Sequence, residues 1–393
     1  MKQIIIVLRG SAGTGKTALM RAMVAGQKHL VGVPILQDAI ERGFGVFDLA
    51  SINSLLDQKQ PFLPTIRKLM GDKPYLLSDT CVNVNRVVEE CAGEYTIIIL
   101  WLFAPGFLVA ARRKVRYAHH KDDPTQAQLE GVLPDEKQLD DVIASFTDWA
   151  DVETVLVDAC DFPMRETTVG EVREMVTGTV REPDPLPVAQ MYQQAVWLGG
   201  KQYGTTDKVR QRWEHARLES ILPADLTGKT LLDIGASEGG MCYEAIHRGA
   251  IYATSVEVRE LQVALAQHIR NCEHLPITTC RMDIVSDSLP RLNAHEQLLR
   301  YDVGLMLNLL HHCKDPEAVF AKVLEACNSA IIETPFGIGE VPYKPGLPPY
   351  PNAMHLPPAW VQAVGKEHGF VLAAIEVSEM CPGQRLIYRL ERT

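Results

Sequence analysis

The sequence predicts an α/β protein made of two doubly wound domains in tandem. Three observations carry that prediction. Short apolar runs alternate with helical patterns along the chain. A proline-dense stretch interrupts the alternation near the middle. Each half opens on an apolar strand that runs into a glycine-bearing turn and then a helix. Short buried strands alternating with helices imply a mostly parallel sheet covered on both faces. At 393 residues the chain is also too long for one ordinary core.

In the first half, apolar runs fall at Gln3–Leu8, Phe44–Asp48, Tyr75–Leu77, Thr96–Leu102 and Thr154–Val157. Helical patterns lie between them at Lys16–Ala25, Ala50–Leu56, Val84–Cys91 and Lys137–Phe146. Between residues 179 and 187, Pro183, Pro185 and Pro187 stand two apart, a density that excludes regular helix and central strand. The boundary is placed there, giving domains at 1–178 and 188–393 joined by a Pro-rich linker at 179–187. Residues 188–228 are read as a helical lead-in to the first strand of the second domain.

A composition of 46% hydrophobic and 22% charged residues is that of a globular protein. No apolar run approaches the roughly 20 residues of a membrane span, and the N-terminus does not read as a signal peptide. Nine cysteines without paired spacing point to free thiols in a reducing, cytoplasmic setting. The net charge of −10 is split evenly between the halves, which leaves no global footprint for duplex DNA. Oligomeric state leaves no mark in the sequence.

Directly after the first strand stands Gly10-Ser11-Ala12-Gly13-Thr14-Gly15-Lys16-Thr17, which satisfies the G-x-x-x-x-G-K-[ST] pattern in its required strand–turn–helix context. Glycines let backbone N–H groups turn inward around phosphate oxygens, and the helix N-terminus adds its dipole. Gly10, Gly13, Thr14 and Gly15 are therefore expected to cradle ATP. Lys16 would reach the β- and γ-phosphates, and the Thr17 hydroxyl would ligate Mg²⁺. No guanine fingerprint such as Asn-Lys-x-Asp occurs, which counsels against a GTPase.

Further along, Tyr75–Thr80 reads as a strand ending in Asp-Thr, and Thr96–Leu102 precedes a helix bearing Arg112, Arg113, Lys114 and Arg116. On these features residues 1–178 resemble P-loop kinases of the gluconokinase and polynucleotide-kinase type. The resemblance implies Asp48, at a strand's C-terminal end, as the base on the attacking hydroxyl. The bland alternative is an aspartate capping the next helix. Asp79 either holds Mg²⁺ through water or caps a helix. Arg112, Arg113 or Arg116 would stabilise charge on the transferring phosphoryl group, or else they form a solvated helix face. Polynucleotide kinases place arginine three residues after the base. Ser51 stands there in this chain, which counts against a nucleic-acid 3′-phosphate contact.

The second half opens on Lys229-Thr230-Leu231-Leu232-Asp233-Ile234-Gly235-Ala236-Ser237-Glu238-Gly239-Gly240. It resembles the first motif of Rossmann-like (class I) methyltransferases dependent on S-adenosylmethionine, with Ser237 replacing the second glycine of D-x-G-x-G-x-G. The resemblance implies that Asp233, Gly235, Ala236, Ser237 and Gly239 wrap the methionine part of that donor. Glu257, ending the next strand, would bond both ribose hydroxyls, and Asp283 would accept from the adenine amino group. The run Asn308-Leu309-Leu310-His311-His312-Cys313-Lys314-Asp315-Pro316 resembles the fourth motif of the group that includes wobble-uridine carboxymethyl-transferring enzymes, and Ala330–Thr334 reads as the fifth strand. Asn308 is expected at the donor. His311 or His312 is either a general base on an acceptor hydroxyl or a loop-bonding structural histidine. Without Glu-x-x-His-x-x-His, no metal is expected in this half. Val341–Pro358 is long for an internal loop and suggests a lid or acceptor segment, and Lys201 and Tyr203 are placed near the acceptor.

Together the resemblances imply a bifunctional transferase, a P-loop kinase sheet followed by a Rossmann-like methyltransferase sheet, using ATP, Mg²⁺ and S-adenosylmethionine. The acceptor would bear a hydroxyl: a glycan end, a nucleoside, a nucleic-acid terminus or a metabolite. Two alternatives stay open. The domains act on separate groups of an RNA or modified nucleotide, or the first is a nucleotide sensor for the second.

Overall fold

Two seven-stranded sheets organise the chain. The computed structural model describes residues 3–9, 16–28, 31–46, 75–78, 84–117, 152–177, 195–198, 201–204, 218–287, 289, 292–294, 297–335, 356–378 and 385–393. The Cα positions divide into two compact units, residues 1–113 with 120–181 and residues 114–119 with 182–393. Among the described residues no helix is long and apolar enough to cross a membrane. Seven described cysteines are free: Cys91, Cys160, Cys242, Cys272, Cys280, Cys313 and Cys327.

The first sheet is built from β1 (Gln3–Arg9), β2 (Val31–Gly32), β3 (Gly45–Val46), β4 (Tyr75–Ser78), β5 (Tyr95–Phe103), β6 (Val152–Asp158) and β7 (Met164–Glu166). Its order is β2-β7-β6-β5-β1-β4-β3. The five strands from β6 to β3 run parallel, while β7 pairs antiparallel to β6. Helices α1 (Lys16–Val24), α2 (Pro34–Arg42), α3 (Val84–Cys91), α4 (Gly106–Tyr117) and α5 (Val169–Thr177) fall between or after the strands. β5 is buried at eight of its nine positions because it lies in the sheet interior, which explains the unbroken apolar run YTIIILWLF. The α5 start is a reciprocal capping box. Thr168 N–H donates to Glu171 Oε2 at 2.9 Å and Glu171 N–H to Thr168 Oγ1 at 3.2 Å. These bonds, with the Thr167 hydroxyl as the largest contributor, hold the Glu171 carboxyl down at about 2.

The second unit contributes the hairpin β8 (Ala195–Leu198) and β9 (Lys201–Gly204), then β10 (Thr230–Ile234), β11 (Tyr252–Glu257) and β12 (Ile277–Arg281). A small hairpin, β13 (Leu292–Ala294) with β14 (Gln297–Leu299), precedes β15 (Tyr301–Leu307), β16 (Cys327–Pro335), β17 (Phe370–Val377) and β18 (Arg385–Arg392). The main sheet runs β12-β11-β10-β15-β16-β18-β17, with β18 antiparallel to both neighbours. Helices α6 (Gly240–His247), α7 (Glu260–Glu273), α8 (Pro316–Ala326) and α9 (Pro358–Glu367) pack on its strands. Leu231, Leu305 and Ile331 from neighbouring parallel strands share one buried cluster with Met241 and Tyr243 of α6. Each such side chain contributes roughly 1.5–3 kcal/mol by leaving water.

The helical lead-in is corrected at its centre, because residues 195–204 form an antiparallel hairpin with Leu198 opposite Lys201. Val196, Trp197 and Tyr203 favour a pleated surface, and Gly199-Gly200 between the strands is a two-residue hairpin signal that outweighs the helical pattern. Among the described residues of the lead-in, helix is observed from residue 218. There Arg248 Nη1 donates to Leu222 O at 2.8 Å, and Arg389 Nη2 donates to Ser220 O at 2.6 Å, tying the segment to the unit.

Candidate functional site: two glycine turns at sheet switch points

In both units the first core strand sits where the strand order reverses. β1 lies between β4 and β5, and β10 lies between β11 and β15. Ligands of open α/β sheets generally bind beyond the carboxyl ends of strands at such a switch point.

In the second unit that region is described atom by atom. After the fully buried β10 the chain takes three positive φ angles in five residues: Gly235 at 74°, Ser237 at 52° and Gly239 at 83°. Gly235 and Ala236 both donate their N–H to Val256 O, at 2.8 and 3.0 Å, which folds the turn back over β11. A Cβ on Gly235 would stand 3.3 Å from Leu309 Cδ1, and one on Gly239 would stand 3.2 Å from the Tyr243 ring. Conformation and space thus both require glycine at these positions. Ser237 adopts the left-handed region although it carries a side chain. Its N–H donates to Glu257 Oε2 at 3.0 Å and its hydroxyl to Glu238 Oε2 at 2.7 Å, which offsets the strain. Ser237 thus holds a backbone conformation that glycine adopts more readily.

Glu257 closes β11 beside this turn and is 5% exposed. Oε1 accepts from the N–H groups of Val258 and Arg259 at 3.0 Å each and from Arg259 Nε at 3.1 Å. Oε2 accepts from Ser237 N–H at 3.0 Å and Arg259 Nη2 at 3.2 Å. Burial pushes its carboxyl up, but the Arg259 bonds and charge, with the Ser237 N–H, prevail and hold it below the ordinary carboxylate value. Asp233 is buried one turn earlier, with Cys242 Sγ 4.0 Å from its Oδ2.

Asp283 follows β12, where Met282 N–H donates to Glu257 O at 3.1 Å. Asp283 is exposed and its Oδ1 accepts Val285 N–H at 2.9 Å, so one of its oxygens shapes the local turn. The loop is pinned from α8, where Lys322 Nζ donates to the carbonyls of Ile284, Val285 and Asp287 at 2.9, 2.8 and 3.0 Å.

On the other side of β10, Asn308 leaves β15 at φ 58°. Its N–H donates to Glu333 O at 2.8 Å and its Nδ2 to Glu333 Oε2 at 2.6 Å. Asn308 Oδ1 and His311 Nδ1 are buried atoms without a hydrogen-bond partner. Glu333 is 1% exposed and also receives the Ser378 hydroxyl, with Arg385 Nη1 3.8 Å away. The His311 and His312 rings lie 3.9 Å apart. Burial first, then His312 and Arg385, bring His311 down to about 4, and burial lowers His312 as well. Both imidazoles are therefore neutral at neutral pH.

In the first unit, Lys16 is the first residue of α1 and is 6% exposed. Arg9, at the carboxyl end of β1, lies over the Trp101 ring at 4.8 Å. Arg112 Nη1 and Nη2 donate to Ala159 O and Cys160 O at 2.9 and 2.8 Å, so this guanidinium holds the turn after β6. Arg113 is buried, and Arg116 lies on α4. Thr17 belongs to α1. Gly10, Gly13, Thr14, Gly15, Asp48 and Asp79 lie outside the described residues, as do the side chains of Thr17, Arg116, Lys201 and Tyr203. Of Val341–Pro358 only the end is described, where Leu356 O accepts the Tyr388 hydroxyl at 2.8 Å.

Sequence reasoning passed over four residues that the structure brings to these crevices: Glu238, Arg259, Glu333 and the Asp158–Arg165 pair's acid, the last 3.1 Å from its partner at the end of β6. An acid inside the apolar run of β16 and an arginine two positions after an acid were the available signals.

No known family model and no curated protein sequence matches the chain. Among solved structures it is similar to the magnesium protoporphyrin IX methyltransferase ChlM from Synechocystis PCC 6803 with bound SAM, at 15% identity over 48% of this chain and 86% of that one, with a TM-score of 0.36. It is similar to an S-adenosylmethionine-dependent methyltransferase from Mesorhizobium loti, at 19% identity over 44% and 95% of the two chains, with a TM-score of 0.36. It is similar also to the [4+2]-cyclase SpnF, at 14% identity over 53% and 90%, with a TM-score of 0.38.

Proposed function

We propose that the chain is a bifunctional transferase that phosphorylates an acceptor hydroxyl from ATP in its first unit and methylates the same molecule from S-adenosylmethionine in its second. The observation that carries this reading is the recurrence of one device. In each sheet an interior strand is followed in sequence by a glycine-bearing segment and then a helix, with Lys16 opening the helix in one and an acid, Glu257, ending the neighbouring strand in the other.

The residues fit both donors. In the second unit, Gly235 and Gly239 leave a backbone cradle that a Cβ would crowd, and the buried Glu257 carboxylate suits a diol. Asp233, Ala236 and Ser237 would complete the cradle around the amino-acid end, with Asp283 at the base and Asn308 opposite. In the first, a buried ammonium at a helix N-terminus suits phosphate oxygens. Thr17 and Asp79 would hold Mg²⁺ there, and Gly10, Gly13, Thr14 and Gly15 would present N–H groups.

Bound ATP would supply the phosphoryl group and S-adenosylmethionine an electrophilic methyl group. Asp48 would take the proton of the acceptor hydroxyl, and Arg113 or Arg116 would offset charge on the transferred oxygens. Arg112 would act at one remove, through the turn after β6. On the methyl side His311 is neutral and, with its depressed basicity, a weak base. That favours an acceptor oxygen with no proton to lose, such as an anionic oxygen of the new phosphate monoester, for which positioning suffices.

Mass spectrometry of candidate acceptors incubated with both donors tests the reading. The expected product carries one phosphoryl and one methyl group, and omission of ATP removes both. Equal methylation without ATP would assign the two activities to separate groups. Phosphoryl transfer absent from the wild type would reduce the first unit to a nucleotide sensor.

A further inference from the structure

We propose that Arg259 is a latch on the donor site: its guanidinium occupies the acid that receives the donor's ribose and must leave before the nucleoside can enter. The inference rests on the reading of Glu257 as the ribose acid and concerns how that site is regulated.

The argument is one of hydrogen-bond capacity. A carboxylate offers about four lone-pair positions on its two oxygens. Glu257 already receives five donors: the N–H groups of Ser237, Val258 and Arg259, and Arg259 Nε and Nη2. A ribose diol brings two further O–H donors to one carboxylate, so existing donors must make way. Three of the five are backbone groups. The Ser237 N–H is held by the turn that also fixes Gly235 and Ala236 on Val256 O, and the Val258 and Arg259 N–H groups lie in the bend leading into α7. Displacing these would unmake the crevice.

The two remaining donors belong to one side chain that can move. Arg259 is the N-cap residue of α7, and its side chain is 44% exposed, against 5% for Glu257. Rotation about its own torsions carries the guanidinium into solvent without moving the backbone. Arg259 Nη2 also donates to Ser237 Oγ at 3.2 Å, so the guanidinium bridges the turn after β10 and the end of β11. Its departure frees two carboxylate positions and one serine oxygen together. Donor binding must then break a half-exposed ion pair, and the free chain is held closed by that pair.

The test is calorimetric titration of the full chain with S-adenosylhomocysteine, which binds without reacting. Arg259→Ala is expected to bind about three- to tenfold more tightly than the wild type, since the competing cation is gone. Wild-type affinity should rise as salt screens the pair, whereas the variant should show no such rise. Arg259→Gln serves as a second variant if the alanine form does not fold. In a Glu257→Ala background the Arg259 substitution should have no effect, because the latch acts through that carboxylate. Unchanged or weaker binding by both Arg259 variants overturns the latch, making Arg259 inert or part of the ribose contact. A folded wild type that binds no S-adenosylhomocysteine fails at the earlier step and removes the methyl-donor reading itself.

Discussion

The glycine-bearing segment that follows β1 in sequence and the turn after β10 each follow an interior strand of a sheet, yet they differ in what marks them. Gly10–Thr17 is legible through its sequence pattern, a lysine and a threonine that a bare strand–turn–helix does not need. Gly235–Gly239 is specified by its own neighbours. Val256 O receives two of its N–H groups, Leu309 and Tyr243 close the space at its glycines, and Glu257 receives the N–H of Ser237. The first segment stands out by residue type in the sequence, whereas the second stands out through register with the adjacent strand. An interior strand can therefore precede a strong motif or a weak one, and motif strength is not a measure of how well a turn is held.

Substitutions can separate the two turns. The largest effect is expected from Lys16→Ala, which should lower phosphoryl transfer by about 10²–10³-fold while leaving S-adenosylhomocysteine affinity unchanged. Single-turnover assay and titration of the same preparation check both halves of that statement. Next comes Gly235→Ala, which places a side chain at φ 74° with its Cβ 3.3 Å from Leu309. It should destabilise the second unit by about 1–3 kcal/mol, read as hydrogen-exchange protection lost in β10 and α6 but not in β1 and α1.

An acid titration probes the Asn308–His311 side. His311 is depressed to about 4 by burial, then by His312 and Arg385. The unfolded chain takes up a proton near the ordinary histidine value while the folded chain does not. Stability contributed there is therefore complete above about pH 6.5 and is lost as pH falls toward 4. His311→Asn should lose less melting temperature than the wild type between pH 7 and pH 5. The smallest effect is expected in the first unit, where Thr168→Ala removes half of the α5 capping box and should cost about 1 kcal/mol, seen as faster exchange of α5 amides alone.

The interior strands were readable because burial imposes largely apolar runs on them, as in YTIIILWLF and TLLDI. The acid at Glu257 was readable because it ends such a run. Glu333 was not, because its partner Asn308 is 25 residues away, brought close by strand register rather than spacing, while Arg259 was passed over although its partner Glu257 stands two residues before it. The hairpin at 195–204 was misread because a helical periodicity was weighed above Gly199-Gly200, although two glycines between aromatic and β-branched residues specify a tight turn. The minor strands β2, β7, β13 and β14, of two or three residues each, are too short to impose a pattern.

The central claim, two donor crevices in one chain, is tested most directly by a crossed titration of wild type, Lys16→Ala and Glu257→Ala with S-adenosylhomocysteine and with a non-hydrolysable ATP analogue plus Mg²⁺. The account predicts one site for each ligand in the wild type. Lys16→Ala should lose only the nucleotide triphosphate, and Glu257→Ala should bind S-adenosylhomocysteine about 10–100-fold more weakly with triphosphate binding intact. A wild type that binds only one of the two ligands, or one substitution that abolishes both, would contradict it.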